Sequence, residues 1–324
     1  MDGKTELTAG VFYEYTQINR VNEASERLYG VSFGFATDRT TVSVRGWMYE
    51  FSEGDEDVFA SASVREDEII RTSEFTLGGV FGLDLVDGSR VILSPRVVAA
   101  WRPKDWFKLN AELGFDNWLP SLSHEILLMP EFDPYLESPG SVREKFVTIS
   151  GQAVLSRMFE VSVSLDYRNA SDMVYFEDSA DGYLDMMTME YCEFFTFEMD
   201  ASFWLTGSLK LFATHTLSYA YPGGDHERYP YLPRSQTTLG TSLDFLSNWT
   251  LSVELEMVGE KYTGSNSGDT IAPYETLTVL LEYNIEDYVK VYARASNLAN
   301  ESYEDYKGWR GYEKMFYFGI EITF

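Results

Sequence analysis

The sequence predicts an all-β protein, a transmembrane antiparallel up-and-down β-barrel of about 16 strands. Apolar and polar residues alternate along most of the chain, and a strand places alternate side chains on opposite faces. Short turns alternate with longer polar loops, and no apolar run approaches the ~20 residues of a membrane helix. The mean hydropathy is −0.22 although 44% of residues are hydrophobic and 16% aromatic. That combination fits strands that are apolar on one face only.

The alternating pattern begins near the start of the chain and predicts one barrel domain over residues 1–324. In the first segment Leu7, Ala9 and Val11 share a face. Segment 58–66 has the weakest pattern, because few of its residues are large and apolar. The predicted strands are 7–15, 28–36, 41–51, 58–66, 75–83, 91–101, 107–115, 145–156, 159–177, 188–205, 208–221, 234–246, 249–262, 274–285, 288–298 and 312–324.

The connections indicate which end of the barrel faces which side of the membrane. Short turns of the periplasmic type are predicted near 102–105, 156–157, 206–207, 246–248 and 285–287. The longest extracellular loop is predicted over 117–144, and its apolar centre at 126–130 suggests that it constricts the mouth, docks a partner or packs on itself. Aromatic residues beside the turns predict an interfacial girdle of Trp101, Trp106, Phe159, Phe203, Trp204, Phe245 and Trp249.

The face opposite the apolar one carries many charged residues. A dry core could not hold them without large desolvation costs, and a barrel of this size is too wide for side chains to fill. We therefore expect a wet lumen, or a lumen that another polar element fills. Its predicted lining and selectivity residues are Glu112, Glu198, Asp200, Asp244, Glu254, Glu256, Glu282, Lys290, Arg294 and Glu321. Acidic residues predominate, so we expect a modest preference for cations.

Composition argues against several other classes of protein. The net charge of −27 disfavours nucleic acid as a partner, because phosphates require a basic surface. A lone cysteine, Cys192, excludes an internal disulfide and a cysteine-based metal cluster. The histidines His124, His215 and His226 lack metal-ligand spacing, and His215 falls on the apolar face. The acidic stretches 53–57 and 178–185 lack an EF-hand pattern. We therefore expect neither an enzyme nor a bound metal or cofactor.

The closing segment, 313–324, alternates strongly and ends on an aromatic residue. Its spacing Tyr317-x-Gly319-x-x-Ile322-x-Phe324 resembles the C-terminal signal by which bacterial outer-membrane barrels are recognised for insertion. The resemblance implies the outer membrane of a Gram-negative-type bacterium. Its implied partners are outer-membrane lipid, lipopolysaccharide and the barrel-assembly machinery. The segment is expected to pair with the first strand.

Motifs across 73–324 are similar to the barrel of TonB-dependent receptors. They are Ser94-Pro95-Arg96, the stretch from Leu113 to Leu122 with its Pro-Ser-Leu ending, the stretch from Tyr229 to Arg234, Asn297-Leu298 and the closing strand. The family implies roughly 22 strands around a plug domain and an N-terminal TonB box. Here alternation begins by Leu7, and no segment resembles the plug or the box.

The sequence is compatible with three functions. The first is an outer-membrane channel that passes small hydrophilic solutes, either passively or under the control of a partner. The second is a structural or docking barrel of an envelope complex, with its lumen filled by a partner. The third is the barrel portion of a TonB-dependent uptake receptor whose plug is on another polypeptide or missing from this chain.

Overall fold

A computed structural model describes residues 5–17, 25–37, 40–51, 56–86, 90–118, 142–178, 184–224, 227–246, 248–266, 268–285 and 289–322. Within these ranges the chain forms one large antiparallel sheet and two small hairpins. The same ranges hold no helix with the length and apolar character needed to cross a membrane.

The large sheet has 16 strands in simple up-and-down order. They are β1 (Glu6–Gln17), β2 (Ser25–Ala36), β3 (Thr40–Phe51), β4 (Glu56–Arg71), β5 (Phe75–Val86), β6 (Arg90–Lys104), β7 (Phe107–Trp118), β8 (Val142–Ser156), β9 (Phe159–Asp178), β10 (Leu184–Trp204), β11 (Leu209–Pro222), β12 (Ser235–Phe245), β13 (Trp249–Val258), β16 (Tyr274–Asn284), β17 (Val289–Ser296) and β20 (Met315–Ile322). The small hairpins are β14 (Lys261–Tyr262) with β15 (Thr270–Ile271), and β18 (Glu304–Tyr306) with β19 (Trp309–Arg310).

Cross-strand register separates an apolar face from a polar one. Val44 pairs with Ala62, which pairs with Leu83. The next pair along these strands, Arg45 with Ser61, lies on the other face. The apolar face is exposed, as in Leu7 at 77%, Phe33 at 68% and Phe318 at 83%. So large an exposed apolar surface suits lipid rather than water. The predicted antiparallel, up-and-down all-β architecture is confirmed.

Several predicted boundaries are wrong. Strand β4 continues to Arg71, beyond the predicted end at residue 66. The prediction stopped too early because the register shifts between Glu66 and Ile70 and interrupts the alternation on which it relied. The predicted loop 117–144 is shorter, because β7 extends through Trp118 and β8 begins at Val142. Its remaining part, with the apolar centre, lies outside the described residues.

The two predicted acidic loops are also partly strand. Glu56 and Asp57 belong to β4, while Asp178 ends β9 and Asp185 lies in β10. The other residues of these stretches, 53–55 and 179–183, lie outside the described ranges. The expected pairing of the closing strand with the first strand stays a prediction.

Aromatic side chains gather where strands meet the short turns, but the predicted place of Trp204 among them is wrong. Phe159 and Phe203 are in edge-to-face contact with ring centroids 6.4 Å apart, and Phe245 stacks on Trp249 at 6.2 Å. Trp204, however, follows Phe203 directly and therefore faces the other side of the sheet. It pairs with Lys210, whose Nζ lies 5.3 Å from its ring centroid. Trp204 is thus a polar-face residue and not a member of the girdle.

His215 occupies the apolar face, as predicted. It pairs with Met199 on one side and with Thr237 on the other. Its Nδ1 lies 2.8 Å from the Thr237 Oγ1, so the two polar groups share a hydrogen bond. That bond offsets the cost of placing an imidazole on an apolar surface.

Gly114 allows β6 and β7 to approach closely where the motifs that resemble TonB-dependent receptors lie side by side. It pairs with Arg96. A Cβ at this position would lie 2.8 Å from the Pro95 carbonyl oxygen and 2.9 Å from the Arg96 Cα. Because these are backbone atoms, they cannot move aside as a flexible side chain would.

Substitution Gly114→Val should therefore weaken the sheet. We expect the free energy of unfolding to fall by about 1–3 kcal/mol, the usual cost of overpacking. Urea titration of the refolded protein in detergent, followed by the heat-modifiable mobility of folded barrels on gels, measures the change. Gly46→Val is the matched control, because a Cβ there meets nothing within 4 Å. Equal urea midpoints for the two variants would show that close packing at Gly114 is unimportant.

Candidate functional site: the polar face and the loop end of the sheet

All ten predicted lumen residues lie on the polar face of the sheet. Their cross-strand partners are mainly polar or small, and threonine recurs among them. These partners are Thr148 for Glu112, Thr216 for Glu198, Thr214 for Asp200, Thr250 for Asp244, Gly240 for Glu254, Thr276 for Glu256, Tyr292 for Glu282, Glu321 for Lys290 and Tyr317 for Arg294. The period of two along each strand and the antiparallel register together create this common face.

One row of the polar face combines two carboxylates with three threonine hydroxyls across neighbouring strands. It runs through Asp200, Thr214, Thr238, Glu256 and Thr276, on β10, β11, β12, β13 and β16. The Thr214 hydroxyl donates to Asp200 at 2.7 Å, and the Thr276 hydroxyl donates to Glu256 at 3.3 Å. We call this set the acidic row.

Further neutral donors complete the acidic row. The Ser162 hydroxyl donates to Asp200 at 3.0 Å, and the Gln236 amide donates to Glu256 at 2.7 Å. These groups orient the carboxylates without cancelling their charge. The row therefore presents fixed negative charge to whatever occupies the space beside it.

Near the short turns, the polar face instead places a lysine between two carboxylates. Lys290 on β17 lies 3.5 Å from the Glu282 carboxylate on β16 and 3.3 Å from the Glu321 carboxylate on β20. Asp244 accepts a hydrogen bond from Thr250 at 2.8 Å, and Arg294 donates to Ser296 at 3.2 Å. The ion pairs join three neighbouring strands, so they act as a structural cluster as well as a charged surface.

The family-like motifs of β6 and β7 meet in a polar network that sequence reasoning did not resolve. Arg96 lies 2.6 Å from the Asp116 carboxylate and 3.9 Å from that of Glu112. The Asn117 amide donates to the Ser94 hydroxyl at 2.7 Å and to Asp84 at 3.1 Å.

The Asp84 carboxylate is the member of this network that sequence reasoning missed. It also accepts a hydrogen bond from the Ser94 hydroxyl. Asp84, Ser94 and Asn117 are all buried. In the sequence, Asp84 is simply one more polar residue of an alternating strand, and its partners lie on two other strands. Pairing across the sheet brings them together.

The predicted insertion signal is partly described. Tyr317 and Gly319 lie on β20 on the polar face, and Ile322 is the last residue of that strand. The Tyr292 ring of β17 occupies the space that a Cβ at Gly319 would need. A glycine in this motif thus has a packing reason in addition to any recognition role. Phe324 lies outside the described residues.

At the end opposite the short turns, three connections pack together: 223–234, 259–273 and 297–314. The Tyr231 amide donates to the Tyr262 carbonyl at 2.7 Å, and the Tyr231 and Tyr306 ring centroids are 4.7 Å apart. The buried Ser265 donates from its amide and its hydroxyl to the Glu177 carboxylate near the end of β9. We call this assembly the loop cap.

The centre of the loop cap is a cluster around Lys261, whose side chain is buried. Its Nζ lies 3.1 Å from the Asp305 carboxylate, which also accepts a 2.6 Å hydrogen bond from the Tyr274 hydroxyl. Tyr274 stacks on Tyr303 with centroids 4.2 Å apart. Burial, together with the Asp305 carboxylate, raises the pKa of Tyr303. This cluster ties the connection 259–273 to the connection 297–314.

The motif Asn297-Leu298 also has a structural role. Asn297 is buried and adopts a left-handed conformation with φ of 49°. Its amide donates to the carbonyls of Glu301 at 2.8 Å and Tyr312 at 2.9 Å. The side chain thereby closes the connection that leads from β17 to β20.

Metal binding finds no support in the described part of the chain. There, no three His, Cys, Asp or Glu side chains are grouped so that they could hold one ion.

Structural comparison gives clear matches, whereas the sequence comparisons give none. No protein-family model matches the sequence, and the search of curated proteins found no match. The fold superposes on the copper transporter OprC with a TM-score of 0.68 at 14% identity, covering 93% of this chain and 57% of OprC.

Two further proteins, a siderophore receptor and an iron transporter, are structurally similar to the chain at equally low sequence identity. The siderophore receptor PirA from Acinetobacter baumannii gives a TM-score of 0.66 at 12% identity, covering 99% of this chain and 59% of PirA. The FrpB iron transporter from Neisseria meningitidis, F3-3 variant, gives 0.65 at 12% identity, covering 99% and 59%.

These matches establish the class of fold. The chain has the β-barrel fold of outer-membrane TonB-dependent receptors, and the predicted resemblance to those barrels is confirmed at the level of the fold. It spans 57% to 59% of the length of these three proteins.

The cluster around Lys261 makes a testable prediction. Asp305→Ala removes the partner of a buried ammonium group and of the Tyr274 hydroxyl, so we expect the loop cap to lose about 1–3 kcal/mol of local stability. Hydrogen-exchange mass spectrometry should show faster amide exchange in both 259–273 and 297–314.

Asp269→Ala is the control for this experiment. It removes an exposed ion pair, since Asp269 lies 3.1 Å from Lys307 with both side chains at least half exposed. Exposed pairs contribute about 0–1 kcal/mol. If the two variants exchange at the same rate, the buried cluster does not hold the loop cap together.

Proposed function

We propose that the chain is a transport barrel of a Gram-negative-type outer membrane that passes small hydrophilic solutes and favours cations. The polar face lines the lumen and the apolar face contacts lipid and lipopolysaccharide. Transport as a general class is supported by the fold, which is shared with proteins described as a copper transporter, a siderophore receptor and an iron transporter.

The observation that carries the cation preference is the acidic row. Asp200 and Glu256 are oriented by threonine, serine and glutamine donors, which leave their negative charge in place. Rings and rows of carboxylates are a recurring device of cation-selective pores. The ion-pair cluster at Lys290 near the short turns joins three strands and fits a structural role.

A second candidate is a barrel whose lumen is filled by a partner, either a plug on another polypeptide or an envelope protein. The charged and hydrogen-bonding polar face favours it, because such a surface binds a polar polypeptide as readily as it binds water. In this case the purified chain alone would be open, and the partner would close it.

Three further roles complete the proposal. Tyr317, Gly319, Ile322 and Phe324 act as the signal that the barrel-assembly machinery reads. The predicted loop 117–144 narrows the mouth or docks the partner. Glu112 tunes the lumen together with its neighbour Arg96. No cofactor or metal is required for these functions.

Planar-bilayer recording of the purified chain tests the proposal. We expect stable openings with weak cation selectivity, and the double variant Glu254→Gln, Glu256→Gln should lower the cation-to-anion permeability ratio about two- to fivefold, since charge in the lumen concentrates counter-ions. Glu275→Gln is the matched control, because Glu275 pairs with Met257 on the apolar face. A closed barrel in the absence of a partner would contradict the open channel.

A further inference from the structure

The apolar face of β8 and β9 ends at a defined level near the loop end of the sheet. On β8 its last apolar residue is Val147, and on β9 it is Tyr167, with which Val147 pairs. Both side chains are exposed. Between the short turn at 156–159 and these two residues, each strand has the ~9–11 residues that cross the hydrocarbon region of a membrane. Tyrosine also favours the membrane interface, so this pair marks the edge of the lipid-facing surface.

Two cations lie directly beyond this edge, on the same face of β8. They are Lys145 and Arg143, which follow Val147 in the alternation. Both are exposed. Positions two apart on a strand are separated by ~7 Å along it, so the two side chains can reach one phosphate group placed between them.

The surroundings of Lys145 leave its charge available to a ligand. Its cross-strand neighbours are Phe115 and Asn169. Among the residues that the structure describes, no carboxylate forms an ion pair with Lys145. The nearest carboxylate in this row is that of Glu193, one strand further on, and it accepts a 3.5 Å hydrogen bond from the Asn169 amide.

Arg143 has one carboxylate partner in the described part of the chain. Its guanidinium lies 3.1 Å from the Asp172 carboxylate, and both side chains are about half exposed. Exposed pairs of this kind are weak and are screened by salt. The contact engages one of the three guanidinium nitrogens, so N–H groups remain for a second acceptor.

We propose that Lys145 and Arg143 bind the phosphate of an outer-leaflet lipid whose acyl chains lie on the apolar surface of β7 to β9. That surface is continuous, because Leu113 pairs with Val147, which pairs with Tyr167. Ammonium and guanidinium groups form charge-assisted hydrogen bonds with phosphate oxygens, and cations beside a bilayer attract anionic lipids. The inference rests on the proposed outer-membrane placement, in which the loop end faces outward, and not on transport.

Native mass spectrometry of the full chain in detergent, titrated with lipid A, tests the proposal because it counts bound lipids by mass. We expect saturable binding whose affinity falls at least about tenfold in the double variant Arg143→Gln, Lys145→Gln, since two charge-assisted contacts are lost. The matched control is Arg45→Gln, Lys108→Gln, which removes the same charge from the polar face and should bind as the unmodified chain does. Equal affinity of the two double variants would overturn the proposal.

Two further probes separate the parts of the ligand. Phosphatidylcholine has acyl chains and a phosphate, but its choline group cancels the charge, so we expect it to bind at least about tenfold more weakly than lipid A. Equal binding of phosphatidylcholine would contradict recognition of an anionic phosphate. Inorganic phosphate lacks acyl chains, and we expect that an equal concentration of it does not displace lipid A. Displacement under that condition would contradict the lipid part of the site.

Single variants of Lys145 separate charge from packing. Lys145→Arg keeps a phosphate-binding cation and should retain lipid A, whereas Lys145→Met keeps the length without the charge and should lose affinity. Equal affinity in these two variants would contradict a role for the charge. Heat-modifiable mobility confirms that each variant is folded. Because lipid binding is measured without a pore, a barrel that failed to conduct would leave this result unaffected, and a failure to bind lipid A would leave the conduction test unaffected.

Discussion

Cross-strand register is the constraint on which the other features depend. In an antiparallel sheet, a slip of one residue exchanges the two faces of a strand. Such a slip in β3 would move Arg45 onto the surface that now holds Val44 and would remove it from Ser61. Because every strand of the large sheet pairs with its neighbours in this way, the apolar surface, the acidic row and the ion-pair cluster at Lys290 all follow from one set of pairings. The polar face is therefore a product of the same hydrogen bonds that hold the sheet together.

The polar face uses two different ways of stabilising charge. Near the short turns, Lys290 forms ion pairs with two carboxylates, which joins three strands and partly offsets their negative charge. Along the acidic row, hydroxyl and amide groups hold Asp200 and Glu256, which fixes their positions and preserves their field. At the loop end, Arg228 and Arg234 stack on the ring of Tyr262.

Much of the sheet could be predicted because its period is local. Alternation locates nearly every strand, and it separates His215 on the apolar face from the candidate lumen residues on the polar one. The prediction fails at β4, where an irregularity after Glu66 breaks the period of two. It also fails at Trp204, which was assigned to the girdle because it lies near a turn, although its position in the alternation places it on the polar face. The loop cap lies beyond this kind of reasoning altogether. Lys261 and Asp305 are 44 residues apart in two aperiodic connections, and their contact depends on the whole sheet bringing those connections together.

Strands β9 and β10 are much longer than a membrane requires. They contain 20 and 21 residues, whereas a tilted strand crosses the hydrocarbon region in ~9–11. Near the loop end, the extra length of β9 and β10 is stabilised by a small core of Tyr175, Met189 and Cys192, against which Tyr229 packs. At ~3.4 Å per residue and a steep tilt, this ribbon rises roughly 20 Å above the lipid tails. In the proposed orientation, this ribbon is accessible to an antibody or a bacteriophage that arrives from outside the cell.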